Sequence, residues 1–285
     1  MKAAGLLCAV LLPAALAAQE RTLVTVVAFG APGAAGNRWS SELYLSNLSA
    51  TAMDVTVAGV LPLRVKQGPH PCLPPITPIH VEGQRTRLLL ASQLATYLGC
   101  PEEFVGGLVL EHPPGLLVAS RMTNTKGFLE ELLARPLQGF SQEIPGVLLA
   151  DLPSNDGRYM IPSLAWDPNP CDGQAKFDVY LYLANPSEEE RTVTLWPREG
   201  EEMRLRIPDR EVPLPLPVKV PAGKLVQLAI KPPSSPVVEP CGQVQFFDLF
   251  FEADGSVGVL ASVVDRASND ARTILVTKAF RLIRQ

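Results

Sequence analysis

Two pairs of acidic residues in the C-terminal half are the residues of this chain best spaced for catalysis. Asp248 and Glu252 are an even number of positions apart in a strand-like segment, so they share one face of the predicted strand. Asp265 and Asp270 flank the next loop, where Asn269 could join them as oxygen ligands for calcium, although the glycine and spacing of a known calcium loop are missing. Paired carboxylates can hydrolyse a glycosidic bond. Strand alternation favours a charged stripe on a solvent-facing sheet instead.

The histidines and cysteines do not stand at metal-ligand spacing. His70, His80 and His112 lie far apart in sequence, which favours ordinary solvated loop residues. No C-x-x-C motif is present, so a zinc site built on sulfur is not predicted. The sequence therefore predicts neither a metal nor a cofactor.

Two glycine motifs resemble catalytic loops without meeting their requirements. The segment Gly255-Ser256-Val257-Gly258 lacks the first glycine of a nucleophile elbow, because Asp254 stands in its place. Gly30, Gly33 and Gly36 follow a strand, but the next residues continue as a strand and provide no helix N-terminus for a phosphate. Both motifs are interpreted as turns, and the chain is not predicted to be an enzyme.

Aromatic residues cluster around two similar segments. Tyr44 and Tyr182 each alternate with flanking leucines, so on a strand the tyrosines take the face opposite to the leucines. Packing within the sheet is the expected role of such residues, but if that face is open to solvent it is the best candidate contact surface. The whole cluster comprises Trp39, Tyr44, Trp166, Tyr180, Tyr182 and Trp196.

The segments that carry Tyr44 and Tyr182 are two copies of one sequence repeat. Leu43-Tyr44-Leu45-Ser46-Asn47-Leu48-Ser49 is repeated as Leu181-Tyr182-Leu183-Ala184-Asn185-Pro186-Ser187, at an offset of 185 − 47 = 138. A second echo relates Leu117-Val118-Ala119-Ser120 to Val259-Leu260-Ala261-Ser262, at 261 − 119 = 142. A nearly constant offset predicts a duplicated domain. Asn47-Leu48-Ser49 is also a glycosylation triplet, but proline blocks the second copy, so a turn explains the recurring asparagine better.

Short apolar alternations separated by turn formers predict an all-β chain with seven or eight strands in each unit, as in a β-sandwich. The predicted divisions are a signal peptide at 1–18, a first domain at 19–153 and a second at 154–285, joined near Leu152 to Gly157. The segments Trp39 to Leu45 and Asp54 to Val60 are expected to pair. Leu108 to Leu110 and Leu116 to Met122 are expected to form a hairpin.

Some local features depart from this pattern of strands. Ser92 to Leu98 is predicted to form a helical turn capped by Ser92, and Lys126 to Arg135 a short helix. Glu199-Gly200-Glu201 is predicted to be a hairpin turn. Pro213 to Pro217 cannot lie inside a sheet, because alternate residues lack the backbone donor, and must be an edge or a connector.

The start of the chain and the cysteines predict an oxidising compartment. Met1-Lys2 and the apolar run Ala3 to Ala17, which ends in small residues, are typical of a secretory signal peptide. Cys8 leaves with it, and the remaining four cysteines allow three pairings. The domain division favours Cys72 with Cys100 and Cys171 with Cys241.

The charge balance restricts the possible partners. The formal net charge is −4 and no run of lysine or arginine stands out, which argues against a nucleic-acid partner. Beyond the leader, no stretch is apolar enough for a transmembrane anchor. The mature chain is expected to be secreted or periplasmic.

The segment Phe177 to Ser187, followed by Thr192 to Leu195, resembles the immunoglobulin-like β-sandwich modules of bacterial surface and secreted proteins, and Glu42 to Val57 matches in the first copy. The resemblance implies two tandem immunoglobulin-like antiparallel sandwiches outside the cytoplasm. Such modules serve adhesion, spacing, carbohydrate or protein contact and envelope assembly, and no functional residue carries over from them.

The leading hypothesis is a secreted, non-catalytic binding or structural protein with a protein or glycan partner, for which Tyr44, Tyr182, Asp248 and Glu252 are the candidate contact residues. The first alternative is a carbohydrate-binding accessory unit or glycoside hydrolase that uses the clustered carboxylates. A further alternative is a periplasmic assembly chaperone, which needs an exposed edge strand and basic residues in the cleft between domains.

Overall fold

The computed structural model describes residues 18–32, 38–65, 72, 77–100, 103–125, 141–167, 171, 176–198, 203–207, 210–230, 240–266 and 271–278. In this part of the chain the apolar alternations form antiparallel strands, together with one short α-helix, α1 (Ala91–Tyr97). The all-β prediction is therefore confirmed.

The strands fall into two groups along the chain. The first half contains β1 (Glu20–Phe29), β2 (Ala31–Pro32), β3 (Arg38–Asn47), β4 (Met53–Val65), β5 (Ile79–Val81), β6 (Thr86–Leu89), β7 (Phe104–His112), β8 (Leu116–Thr125), β9 (Ser141–Pro145) and β10 (Val147–Leu148). The second half contains β11 (Tyr159–Trp166), β12 (Phe177–Asn185), β13 (Arg191–Trp196), β14 (Arg204–Ile207), β15 (Arg210–Pro213), β16 (Leu216–Val220), β17 (Lys224–Ile230), β18 (Gln245–Ala253), β19 (Gly258–Asp265), β20 (Ala271–Leu275) and β21 (Thr277–Lys278).

Each half has two sheets, and the strand order of the first half recurs in the second. Sheet I has the order β10-β1-β7-β4-β5, and sheet II has β2-β3-β8-β9 with β6 also paired to β3. Sheet III has the order β21-β11-β18-β13-β16, and sheet IV has β20-β19-β12-β17-β14-β15. Sheet III thus corresponds to sheet I strand by strand, and the β20-β19-β12-β17 part of sheet IV corresponds to the β9-β8-β3-β6 part of sheet II.

An apolar core fills the space between the two sheets of each half. In the first half, Leu45 of β3 and Val57 of β4 point into this core and are buried. Their counterparts in the second half are Leu183 of β12 and Leu195 of β13, which are buried in the same way. Alternation therefore places every second residue of these strands between the sheets.

The chain crosses from one sheet to the other at each repeated asparagine. Trp39 to Leu45 lies in sheet II and Asp54 to Val60 lies in sheet I, so the prediction that they pair is wrong. The predicted hairpin of Leu108 to Leu110 with Leu116 to Met122 is wrong for the same reason, because β7 and β8 lie in different sheets. Two strands that face each other across a core bury every second residue, as hairpin strands do, so alternation alone does not distinguish the two arrangements.

The order of the strands also differs from that of an immunoglobulin domain. The first two long strands, β1 and β3, lie in different sheets. In an immunoglobulin constant domain the first two strands share one sheet. The two-sheet antiparallel architecture is common to both.

Two local predictions have different outcomes. Helix α1 is preceded by Leu90, whose N–H donates to Oε1 of Gln93 at 3.0 Å, so Ser92 lies inside the helix and is not its cap. Pro213 to Pro217 spans the junction of β15 and β16, which are edge strands of sheets IV and III, so the predicted edge position is confirmed. The predicted helix at Lys126 to Arg135 and the predicted turn at Glu199 to Glu201 lie outside the described residues.

Both predicted disulfides are present. Cys72 pairs with Cys100, which follows α1, and Cys171 pairs with Cys241, which precedes β18. Each bridge stays within its own half and restricts the unfolded chain, which typically contributes about 2–4 kcal/mol to stability.

Candidate functional site

The first repeated asparagine holds the corner at which the chain changes sheets. Nδ2 of Asn47 lies 2.8 Å from the carbonyl oxygen of Thr51 and 3.2 Å from those of Val81 and Glu82. Its Oδ1 accepts from the backbone N–H of Ser49 at 2.9 Å and from the hydroxyl at 2.7 Å. Since Asn47 is buried and its amide is fully engaged, the glycosylation triplet is not accessible in the folded protein.

The second asparagine makes the same set of contacts. Nδ2 of Asn185 lies 2.7 Å from the carbonyl oxygen of Glu189, 2.9 Å from that of Val220 and 3.3 Å from that of Pro221. Its Oδ1 accepts from the backbone N–H of Ser187 at 3.0 Å and from the hydroxyl at 2.7 Å. The repeated motif is therefore a structural corner, because one buried amide holds the corner loop to the end of a strand in the other sheet.

Tyr44 lies on the outer face of sheet II, where it is half-buried. Its hydroxyl donates to Oε2 of Glu42 at 2.7 Å, and this hydrogen bond, followed by burial, raises the pKa of the phenol above its ordinary value. Leu88 and Ala119 are its cross-strand neighbours on β6 and β8. The outer face of sheet II is thus open to solvent at Tyr44.

Tyr182 occupies the corresponding position on the outer face of sheet IV but is only 8% exposed. Its hydroxyl accepts from Nε2 of Gln227 at 3.2 Å, and burial raises its pKa above the ordinary value. Tyr182 belongs to an apolar cluster that also contains Leu23 and Val109 of sheet I. It is therefore a contact residue between the two halves and is not exposed to an external partner.

The outer face of sheet IV packs on the outer face of sheet I. A Cβ added at Gly258 would lie 2.2 Å from Cδ2 of Leu23, so glycine permits this close approach. At the edge of the contact the hydroxyl of Ser262 donates to Oε1 of Gln142 at 3.0 Å, and the hydroxyl of Thr273 donates to a backbone carbonyl of β9 at 2.7 Å. Apolar packing joins the halves, with one buried hydrogen bond, from Ser262 to Gln142, and one exposed hydrogen bond, from Thr273, at its edge.

The outer face of sheet III corresponds to this covered face of sheet I, but none of its described residues belongs to the apolar cluster that joins the halves. Phe250 has Met160 on one side and Trp196 on the other as cross-strand neighbours, which makes a row across three strands. Phe246 lies further along β18 on the same face and is 63% exposed. We call this surface the aromatic face and define it by Met160, Trp196, Phe246 and Phe250.

Charged side chains lie around and within the aromatic face, and Asp248 stands between Phe246 and Phe250 on the same face of β18. The guanidinium of Arg158 lies 5.2 Å from the ring centre of Trp196 and 2.9 Å from Oε1 of Glu252. Oδ1 of Asp248 accepts from the backbone N–H of Ser163 at 3.0 Å. Ser163 has a φ of 56° at the bulge in β11, so Asp248 supports an irregular backbone.

Asp248 and Glu252 therefore share a face, as alternation predicts, but each has a separate structural contact. Four residues of an extended strand span about 13 Å. Glycosidase carboxyl groups are about 5–9.5 Å apart. Glu252 therefore borders the aromatic face, and Asp248 lies within it.

The remaining candidate groups are distributed over the molecule. His80 lies 2.9 Å from Asp54, and its pKa is raised above 6.5 chiefly by that hydrogen bond. His112 is buried and lies 2.8 Å from the hydroxyl of Thr22. Asp265 ends β19, whereas His70, Asn269 and Asp270 lie outside the described residues. Among the residues that the structure describes, no three histidines, cysteines or carboxylates are grouped to hold a metal ion.

The sequence signal that marks the aromatic face is in β18. The strand reads Gln245-Phe246-Phe247-Asp248-Leu249-Phe250-Phe251-Glu252-Ala253, with aromatic residues on both faces. Phe247 and Phe251 are buried in the core, so Phe246 and Phe250 must lie on the other face. Of the aromatic face, sequence analysis identified Trp196 and missed the other three residues.

No protein-family model, curated protein or solved structure matches this chain significantly. Within the described residues, no helix is both long and apolar enough to cross a membrane.

Proposed function

We propose that this chain is a secreted, non-catalytic binding protein of two tandem, duplicated β-sandwich domains, and that its aromatic face binds a protein partner. The matching strand orders and the matching Asn47 and Asn185 corners support the duplication. The leader-like segment 1–18 and the two disulfides support secretion, because disulfides persist in oxidising compartments. The immunoglobulin-like character is limited in this proposal to the two-sheet antiparallel architecture.

The observation that carries the proposal is the exposure of Phe246 on the face of β18 that also carries half-buried Phe250, whose cross-strand neighbour is Trp196. Exposed apolar surface edged by polar residues marks interaction sites on soluble proteins. Aromatic residues and arginine are enriched at the centres of protein interfaces, and Arg158 lies directly over Trp196.

The same contacts favour a protein partner over a sugar. Arg158 covers one side of the Trp196 ring, which reduces the aromatic surface free for stacking. Asp248 and Glu252 already accept from Ser163 and Arg158, so they are less available as acceptors for sugar hydroxyls. A flat, mixed apolar and charged surface suits a second protein surface.

Affinity capture from the envelope and culture medium of the producing organism tests the proposal. The bait is the mature chain 19–285, compared with its Phe246→Ser variant and with Leu48→Ser as a control, since Leu48 is 61% exposed at the Asn47 corner. We expect mass spectrometry to find a protein that Phe246→Ser loses and Leu48→Ser retains. Equal capture by both variants, or binding to a glycan array that requires Asp248, would contradict the proposal.

A further inference from the structure

We propose that copies of this chain associate head to tail, with the outer face of sheet II of one copy packed on the aromatic face of the next. This inference rests on the proposed function, because it names the partner of the same surface. This contact between two molecules repeats the contact that sheets IV and I make within one molecule.

The internal contact shows which surfaces fit together. On sheet I, the covered row is Leu23, Val109 and Gly59, which are cross-strand neighbours on β1, β7 and β4. The corresponding row on sheet III consists of residues of the aromatic face, in which Phe250 lies between Met160 and Trp196. The outer face of sheet III is therefore equivalent in position to the face of sheet I that packs on sheet IV.

Sheet IV, the other partner in the internal contact, corresponds to sheet II, whose outer face the other half leaves uncovered. Tyr182 and Leu260 of sheet IV are covered by sheet I. Strand register makes Ala119 the counterpart of Leu260, so the predicted alignment of Ala119 with Ala261 is wrong by one residue. Tyr44 and Ala119 on sheet II are cross-strand neighbours, as Tyr182 and Leu260 are on sheet IV, and Tyr44 remains at the surface. One copy thus carries one free surface of each type.

Exposed apolar side chains concentrate on these two surfaces. Among the described residues, seven large hydrophobic side chains are exposed, and three of them, Leu88, Leu117 and Phe246, lie on the two faces. Leu90 and Val244 directly follow and precede the face-forming strands β6 and β18. Such a distribution is expected for surfaces that are covered in an assembly.

Charges of both signs lie on both surfaces. Glu42, Arg121 and Glu143 lie in register on sheet II, and Arg158 and Glu252 border the aromatic face. Sheet I carries the corresponding pair Arg21–Glu111 on the face of the internal contact. Charged groups at an interface make association sensitive to salt.

Because the two surfaces differ, pairing them leaves one free surface of each type at the ends of every oligomer. Heterologous contacts of this kind form rings or open filaments and do not stop at a symmetric dimer. The predicted behaviour is growth in mass with protein concentration.

Sedimentation velocity of the disulfide-bonded mature chain tests this arrangement. Phe246→Glu disables the aromatic face and Leu117→Glu disables the sheet II face, at side chains that are 63% and 59% exposed. Each variant alone should be monomeric over the range in which the wild type grows, with an apparent dissociation constant weaker by about tenfold or more. Leu48→Glu, 61% exposed at the corner, should associate like the wild type.

Mixing the two variants separates head-to-tail pairing from other modes. The mixture keeps one intact pair of surfaces, so it should form a 1:1 complex of twice the monomer mass and grow no further. A wild type that stays monomeric at every concentration, or a Leu117→Glu variant that associates normally, would overturn the inference. If a monomeric chain still captures another protein through Phe246, self-association fails while the proposed function stands.

Discussion

Tyr44 and Tyr182 occupy the same position in the two halves, yet only Tyr182 is covered by the other half. Their surroundings differ. Glu42 lies two residues before Tyr44, whereas Tyr180 lies two residues before Tyr182. Arg121 of sheet II is replaced on sheet IV by Ser262, by strand register. Charged residues therefore mark the face that the other half leaves uncovered, because an unpaired charge is costly to bury.

The size of the outward-facing side chains also differs between sheets II and IV. Leu117 of β8 and Gly258 of β19 hold corresponding positions, since they neighbour Ser46 and Ala184 on the adjacent strands. The glycine lets Leu23 approach sheet IV, whereas Leu117 projects into solvent. Sheets II and IV therefore have corresponding strands, and a few outward-facing residues decide which of them packs on the other half.

The largest predicted effect on stability concerns the asparagine corner, which both halves share. Asn185→Ala should lower the free energy of unfolding by about 3–5 kcal/mol, because each carbonyl group left without a donor costs about 1–3 kcal/mol. Asn47→Ala should have a similar cost, since its contacts are the same. Urea denaturation followed by circular dichroism measures both.

Ser187→Ala is the matched control for this prediction. It removes one hydroxyl of the same corner and should cost about 1 kcal/mol. Clearly unequal costs for the two asparagine variants would show that the corners are not equivalent.

The second prediction concerns the position at which sheet IV has Gly258 and sheet II has Leu117. Gly258→Leu should cost about 1–3 kcal/mol by overpacking the contact with Leu23. Leu117→Ala, at the corresponding exposed position, should change stability by less than about 0.5 kcal/mol. The loosened contact should also split the urea transition in two, because each half keeps its own core. A single unshifted transition in Gly258→Leu would contradict the described contact.

Alternation predicts the strands well but not how they pair. Leu45 and Val57 alternate with polar residues on either side of Asn47, which correctly places both in the core. The same pattern fits a hairpin and a crossing between sheets, so the predicted pairing of β3 with β4 failed. The choice depends on long-range hydrogen bonds, such as those from Asn47 to Val81 and Glu82, which no local pattern contains.

The sequence also predicted only part of the candidate site. The shared face of Asp248 and Glu252 follows from even spacing, but their partners Ser163 and Arg158 lie on another strand and were not predictable from that spacing. The disulfide pairing was predictable because two cysteines fall in each half. Which tyrosine is covered depends on how the halves pack, a contact between residues far apart in sequence such as Leu23 and Gly258.

A third, smaller effect distinguishes the two arginine–glutamate pairs of corresponding strands. Arg21 lies 3.0 Å from Glu111, and Arg158 lies 2.9 Å from Glu252. Both pairs are substantially exposed, so Arg21→Ala should cost about 0.2–1 kcal/mol. Arg158→Ala should cost about 0.5–1 kcal/mol more, because it also loses the contact with the Trp196 ring.

Urea denaturation at low and high salt tests this difference, with intrinsic tryptophan fluorescence as a second signal. Added salt should screen the ion-pair part in both variants and leave the ring contribution of Arg158. Equal costs for the two substitutions at every salt concentration would count against the ring contact.

The smallest effect concerns a position at which the halves carry different cations. His80 on β5 pairs with Asp54, while Lys219, at the corresponding place on β16, pairs with Glu190 at 2.8 Å. Hydrogen bonding to Asp54 is the main cause that raises the pKa of His80 above 6.5, with Glu82 adding to it. A raised folded pKa means that the pair stabilises the first half fully below the unfolded pKa, and that this contribution is lost as pH rises through the folded value.

Lys219 stays charged over the same range, because its pKa is raised above 10.5 by Glu190. The pH dependence near neutrality should therefore belong to the first half. An NMR titration of the His80 ring should give a midpoint above 6.5, and His80→Lys should remove the change in urea midpoint between mildly acidic and mildly alkaline solution. A ring that titrates at or below 6.5 would show that Asp54 does not hold the proton on His80 in solution, and the contrast with Lys219 would then have no consequence for stability.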